Sequence, residues 1–330
     1  MKGKKATMLT FAEKCKSILA SNWQGHLNTI KADAKGSKGD IYTSKVKYIL
    51  RRGKPYIWVP EDDFHNVNTI IDERGSFAVS SPFPGPLSSL LRSMKKLPAR
   101  VALTGDVEPL KDGKLRYLFL KRTYSSIYHL IVEPHLAQSA TESLREVILS
   151  EQKAMSECSY TVSGVLSSSN PSSTSRSESL KELLEGDEKY VIYKFNLSSS
   201  MFIDGNGGTF EVDLEDIRAS KADPLARFSS RLIDGINQSE ARRRALMLFC
   251  FVYFNANARD AYALSIDRNG FDVLGKVPSP VLKDGCSQFQ WKGFRFALKE
   301  EANDVETFCR QLVEMEEEAV KKVSGYSGLG

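Results

Sequence analysis

The chain has 330 residues, 41% of them hydrophobic and 26% charged, with a formal net charge of +5. This composition excludes a disordered polymer, and the length allows two domains, each with its own core. No apolar run reaches the roughly 18–20 residues that a membrane helix needs, and the longest, 245–254, directly follows three arginines.

The first 60 residues hold 13 Lys/Arg against 3 Asp/Glu. Such a surplus suits a phosphate, a carboxylate-bearing cofactor, an acidic partner or nucleic acid; the simplest alternative is a solvated face. The N-terminus is basic but has no apolar signal core, so no secretory signal is expected. A plastid transit peptide would be longer and richer in serine, and is absent or already removed. Cysteines stand far apart at 15, 158, 250, 286 and 309, with no CxxC pair. Reduced thiols and no zinc are expected.

In chain order, Thr10 and Glu13 form a capping box that opens a helix to about Ala20. Strands are expected at 25–30, 41–50 and 56–59. Asp62 or Asp63 then caps a short helix through Ile71, and a strand follows at 76–80. After a Pro-Gly loop at 82–86 come a helix at 87–95 and a hairpin over 97–121. In that hairpin Val101, Leu103 and Val107 alternate with polar neighbours, Lys111-Asp112-Gly113 turns, and Leu115, Tyr117 and Phe119 return. About six strands with short helices between them suggest a closed or split β-barrel. The span 124–155 is helical in pattern.

Residues 156–179 contain eleven serines and read as a flexible loop. Strands at 190–197 and a hairpin over 202–212 come next. Asp223-Pro224 starts a helix with Leu225, Phe228, Leu232 and Ile236 on one face. The run 245–254 is helix or strand. Asn269-Gly270 turns a second hairpin between 261–267 and 271–277, and a charged helix closes the chain at 303–323.

The segments GHLNTI (25–30), SKVKYIL (44–50), KPYIWVP (54–60), FHNVNTIIDERGSFAVS (64–80) and ARVALTGDVEPL (99–110) together resemble the FMN-binding split barrel of pyridoxamine-phosphate-oxidase-like proteins. Within that superfamily, DPLARFSSRLIDGINQ (223–238) and ALSIDRNGFDVLGKV (263–277) resemble the tail of the heme-utilisation (HugZ-like) branch and its plant relatives, among them the chloroplast glutamyl-tRNA-reductase-binding proteins. The resemblance implies an α+β chain in three parts. These are a split-barrel domain at 1–155, a Ser-rich loop at 156–185 and a C-terminal α/β domain at 186–330.

The resemblance also implies a function. The expected role is non-catalytic: binding and regulation in plastid tetrapyrrole (heme and chlorophyll) metabolism, through a partner enzyme, a bound heme, or both. The alternatives are an FMN- or heme-dependent oxidoreductase and a structural subunit of a plastid assembly. A chloroplast location follows, with the cytoplasm as alternative. Assembly is expected as a homodimer, or as a monomer whose second β-rich domain pairs internally with the first.

For an anionic cofactor such as FMN, the resemblance points to Ser44, Lys45 and Lys47 on the second strand and to His65, Asn66 and Asn68 at the helix start. Lys45 and Lys47 share a strand face, and a helix N-terminus favours an anion. Val67, however, stands where the family commonly has a basic residue. For heme there are four histidines, 26, 65, 129 and 135. The related His-Met-Asn-x-Asp-His stretch is here Gly235-Ile236-Asn237-Gln238-Ser239-Glu240, and no histidine follows His135. Both departures weigh against heme oxygenation of the bacterial kind. No catalytic residue and no metal site is expected, and no nucleic-acid motif accompanies the basic N-terminus.

Overall fold

The computed structural model describes residues 8–32, 39–81, 87–110, 135–156, 176–279 and 289–326. Six antiparallel strands close a barrel: β1 (Gln24–Ile30), β2 (Ile41–Arg51), β3 (Lys54–Pro60), β4 (Arg74–Ser80), β5 (Arg100–Pro109) and β6 (Tyr190–Ile203). Their order is β3-β2-β1-β4-β5-β6, and β6 pairs back onto β3. Closure leaves the six strands no open edge. A short β7 (Thr209–Glu211) hairpins onto the end of β6. The α+β class read from the sequence is the one observed.

Period-two alternation builds the barrel interior. Leu27, Val46, Tyr48, Ile57, Phe77, Val101, Leu103 and Phe195 all turn inward and are buried. β5 and β6 pass each other through a bulge at Thr104/Gly105. A Cβ on Gly105 would lie 1.9 Å from the Asn196 carbonyl oxygen, so only glycine permits that approach.

Two helices close the barrel ends. α1 (Phe11–Ser21) starts on the expected capping box and drives Ala12, Cys15, Ile18 and Leu19 into the barrel core. The buried Tyr48 hydroxyl donates to the Leu19 carbonyl at 2.8 Å. α2 (His65–Ile71) packs where Thr29 ends the inner row of β1, and Asp63 accepts the His65 N–H at 2.8 Å. Outside the barrel, α4 (His135–Ser156) and α5 (Arg176–Glu185) cover β2 and β3 through Ile49, Tyr56, Trp58, Leu144 and Leu180. They follow the short α3 (Ser88–Ser93) in the chain.

The second sheet has three antiparallel strands, β8 (Ala261–Asp267), β9 (Gly270–Pro278) and β10 (Phe289–Ala297), in the order β10-β9-β8. After the small α6 (Leu214–Ala219), the helices α7 (Ser229–Gln238), α8 (Glu240–Phe254) and α9 (Val305–Tyr326) bury one face of it. The run 245–254 is therefore helix. Ser239 caps α8, and Asn255 ends it in the left-handed region at φ 50°. Leu87 and Leu91 of the α3 region pack on the other face against Leu274.

Arg268, in the β8–β9 turn, ties this sheet to the barrel. It meets Glu13 of α1 at 2.6 Å, Asp223 at 3.7 Å and Glu301 at 3.8 Å. Among the described residues no helix is long and apolar enough to cross a membrane.

Several expectations are corrected. β5 is not half of an isolated hairpin, because both its edges are taken, by β4 and β6. The return strand expected at 115–121, its turn, and residues 157–175 of the Ser-rich span lie outside the described residues. The part of that span at Arg176–Glu185 is helix, since Leu180 finds an apolar partner surface on the barrel. Tyr190–Ile203, expected to open the second domain, is the strand that closes the first. The described strands of the C-terminal sheet are all antiparallel.

Candidate functional site

The six residues expected to hold an anionic cofactor fall into two groups that face apart. Ser44 lies opposite Leu27 and turns inward, whereas Lys45 lies opposite His26 and turns outward. Lys47 is also on the outer side, where it pairs with Glu182 of α5 at 2.7 Å. Strand parity thus keeps both lysines away from Ser44 and α2.

On the inner side, His65, Asn66 and Asn68 are buried and fully engaged. His65 Nδ1 is 2.7 Å from Thr29 Oγ1, and Nε2 is 3.1 Å from Ser44 Oγ. A neutral imidazole satisfies this network in either tautomer, one ring nitrogen donating and the other accepting. Asn68 donates to Thr29 at 3.0 Å and accepts the Ala32 N–H at 2.9 Å. Asn66 donates to the Pro60 carbonyl at 2.6 Å and accepts from the Tyr193 hydroxyl at 2.8 Å. These groups bond to one another as a plug at the barrel end, and neither Lys45 nor Lys47 reaches them to meet a phosphate. The expected flavin site does not fit FMN.

This plug has a pH signature. Burial holds the His65 pKa below its ordinary value of 6.5, against the opposing pull of Asp63. Below pH 6.5 the unfolded chain takes up a proton that the folded state resists, so stability is full above 6.5 and is lost as pH falls toward the folded pKa. Urea midpoints of the wild type should decline from pH 6.5 to 5, more steeply than those of His65→Gln. Parallel curves would remove His65 from the acid response.

The outer side carries a different arrangement. Across five strands the register sets Lys45, His26, Ala78, Ala102 and Met201 in one row. At the ordinary strand spacing that row is about 19 Å wide. His26, Lys45 and Met201 are exposed, and the two alanines between them are half-buried and low. Neither His26 nor Lys45 makes a hydrogen bond or ion pair among the described residues.

The neighbouring row is polar and internally bonded. Thr43 donates to Asn28 at 2.7 Å, Asn28 donates to Ser76 at 2.9 Å, and Thr104 and Ser199 share a bond of 2.5 Å. On the opposite flank stands Arg100, whose buried Nε has no partner among the described residues. The barrel face therefore offers a flat apolar floor between an imidazole and a thioether, with cations at its margin.

A second concave region, of about 460 Å³, lies between α1, the β6–β7 hairpin and the second sheet. Phe11, Phe202, Phe210, Ile233 and Leu264 are among its apolar walls, and Asp267, Asp272 and Arg295 form a polar end. Among the described residues, Cys15, Cys250 and Cys309 belong to neither region. Burial pushes Cys15 and Cys250 up to about 11, which keeps them protonated and inert.

Sequence reasoning counted His26 among four histidines for heme but did not place it in the site. Its signal was its position one residue before the inward Leu27, which turns it outward; its pairing with Lys45 depends on the β1–β2 register.

No protein-family model matches the sequence, and no curated protein matches it. Solved structures do resemble the fold. A heme binding protein from Mycobacterium smegmatis matches 96% of this chain and 99% of its own, at 18% identity and a TM-score of 0.51. Campylobacter jejuni ChuZ matches 60% of this chain and 57% of its own, at 11% identity and a TM-score of 0.31. A general stress protein 26 relative of the pyridoxinephosphate oxidase family, from Clostridium acetobutylicum, matches 63% of this chain and 96% of its own, at 8% identity and a TM-score of 0.32. The first of these likenesses spans both sheets and gives the chain its fold: a split barrel with a further α+β layer.

Proposed function

We propose that this split-barrel chain is a binding protein for a heme-class ligand, held on the open barrel face, and that it acts as a regulator and not as an enzyme. The observation that carries the reading is the outer row Lys45–His26–Ala78–Ala102–Met201. Its chemistry matches the group. Imidazole and thioether are axial ligands of heme iron, a floor of alanines accepts a flat apolar ring, and Lys45 and Arg100 suit carboxylates. When bound, heme supplies a redox-active, ligand-binding iron.

The residues themselves bind and orient. His26 would ligate, Lys45 would pair a carboxylate, and the Thr43–Asn28–Ser76 bonds would hold the strands beneath in register. The fold-level likeness to a heme binding protein supports the same ligand class. His65 cannot serve as a general base, because both ring nitrogens are bonded inside the plug. A role in plastid tetrapyrrole metabolism, exerted through a partner enzyme that responds to the loaded state, completes the proposal.

Hemin titration followed by the Soret band tests it. Wild type should bind one equivalent saturably. Lys45→Ala should weaken binding about tenfold to a hundredfold, the worth of one charge-assisted bond. His26→Ala should change the Soret position as well as the affinity. Binding that neither substitution alters would place the ligand elsewhere.

A further inference from the structure

We propose that the cleft between α1, the β6–β7 hairpin and the second sheet is a separate ligand site, built for an amphipathic cation: an apolar body with an ammonium head. The inference stands on the cleft's own lining and is independent of the heme reading. At about 460 Å³ the cleft falls in the range of small-molecule sites, roughly 300–1,000 Å³.

Its apolar wall is aromatic. Phe11 stacks on Phe210 with centroids 4.4 Å apart and lies 5.4 Å from Phe202. Phe11 stays 40% exposed and Met8 61% exposed, so apolar surface is still there to be covered. Ile233 and Leu264 face this wall from the second sheet and its helix layer. Burying an apolar chain here gains about 25 cal/mol per Å² removed from water.

The charges fix the sign of the head group. Arg295 meets both carboxylate oxygens of Asp267, at 2.6 and 2.7 Å, and lies 3.4 Å from Asp272. One guanidinium thus stands between two carboxylates. Arg295 and Asp272 both line the cleft, and the Asp272 side chain is the more exposed, 36% against 16% for Arg295, so the group presents more carboxylate than guanidinium to solvent. The Nε–H of Arg295 is buried beneath that surface. Ser265 donates to Asp272 and holds its carboxylate in place.

On the opposite wall, Asp204 accepts backbone N–H bonds from Asn206 and Gly208, at 2.9 and 2.8 Å, and has no ion pair among the described residues. Asp223 also lines the cleft, with Arg268 behind it. The remaining cation, Lys14, is drawn aside over the Phe11 and Phe202 rings, at 5.4 and 5.8 Å. Asp223 is matched by Arg268 and Asp267 by Arg295, so the surplus negative charge rests on Asp204 and Asp272, which repel a carboxylate-bearing amphiphile and attract an ammonium.

Calorimetric titration of the full chain with dodecylammonium and with dodecanoate, both below their micellar concentrations at pH 7, tests the assignment. Dodecylammonium should bind saturably at one equivalent, with dodecanoate at least about tenfold weaker. Asp272→Asn keeps the shape and should weaken the ammonium about tenfold while leaving the hemin titration unchanged. Ser230→Trp, at an exposed lining position, should fill the cleft and abolish binding. Equal binding of both amphiphiles, no saturable binding, or indifference to both substitutions would overturn the proposal.

Discussion

Arg268→Met should destabilise the protein by about 2–3 kcal/mol at neutral pH. That is less than the roughly 3–5 kcal/mol for breaking a fully buried pair, because Arg268 retains some contact with water. Its side chain is 21% exposed, whereas that of Asp223 is 2% exposed. Removing the guanidinium strips Asp223 of its cation while leaving the N–H bonds from Arg268 and Leu225, each 2.9 Å. Glu13 loses a partner as well, although it keeps the Thr10 capping bonds.

The pH dependence follows from both carboxyls. Burial holds the Asp223 pKa above 3.8 even with Arg268 present, so removing the guanidinium raises it further. A raised carboxyl contributes most below its unfolded pKa and loses that contribution as pH rises through the folded value. Burial would raise Glu13 too, but the Thr10 N–H and the Arg268 charge hold it below 4.5. Its share of stability is present above 4.5 and falls away in acid. Both effects make the deficit of Arg268→Met smallest near pH 4 and full at neutrality. Urea midpoints at the two pH values measure it, and a deficit that grew in acid would contradict the ion-pair account.

Phe77→Ala should cost about 3–5 kcal/mol, the range for emptying a buried aromatic site. Phe77 is fully buried at the centre of the barrel, edge-on to Tyr48 at 5.0 Å and 6.1 Å from Phe195. Its ring also occupies the space a side chain on Gly25 would need: a Cβ there would lie 2.4 Å from Phe77 Cζ. Gly25→Ala alone should therefore destabilise by overpacking, about 1–3 kcal/mol. In the Phe77→Ala background the same change should cost much less. A double-mutant cycle on urea midpoints reads this coupling, and additive effects would show that the ring does not pack there in solution.

Local signals in the sequence were read well where neighbours in the chain decide the structure. The Thr10–Glu13 box, the alternation of β1 to β5 and the Asn269-Gly270 turn are all of this kind. The second use of Glu13, with Arg268, joins residues 255 apart and leaves no local trace. The alternation at 190–197 announced a strand but not its partners. Only the pairing with both β3 and β5 makes β6 the closing strand of the barrel.

The site was legible in part. Period two correctly put Lys45 and Lys47 on one face, and the same rule separates them from Ser44. His65 joined Ser44 and not the lysines because α2 enters the barrel end, a placement set by tertiary packing. Polar residues at a helix start read alike whether they await an anion or bond to one another. Thr29, which links His65 and Asn68, sits in a strand with no mark of that task.

The central claim is that the polar cluster at the barrel end is closed to flavin while the open barrel face takes a heme-class ligand. The most direct measurement is a paired titration of the purified chain, with hemin followed by its Soret band and FMN followed by its fluorescence. Saturable hemin binding at one equivalent, lost or altered in His26→Ala, with FMN fluorescence unquenched at the same protein concentration, is the result this account predicts. Stoichiometric quenching of FMN that depends on Ser44 or His65, with hemin binding unchanged in His26→Ala, would contradict it.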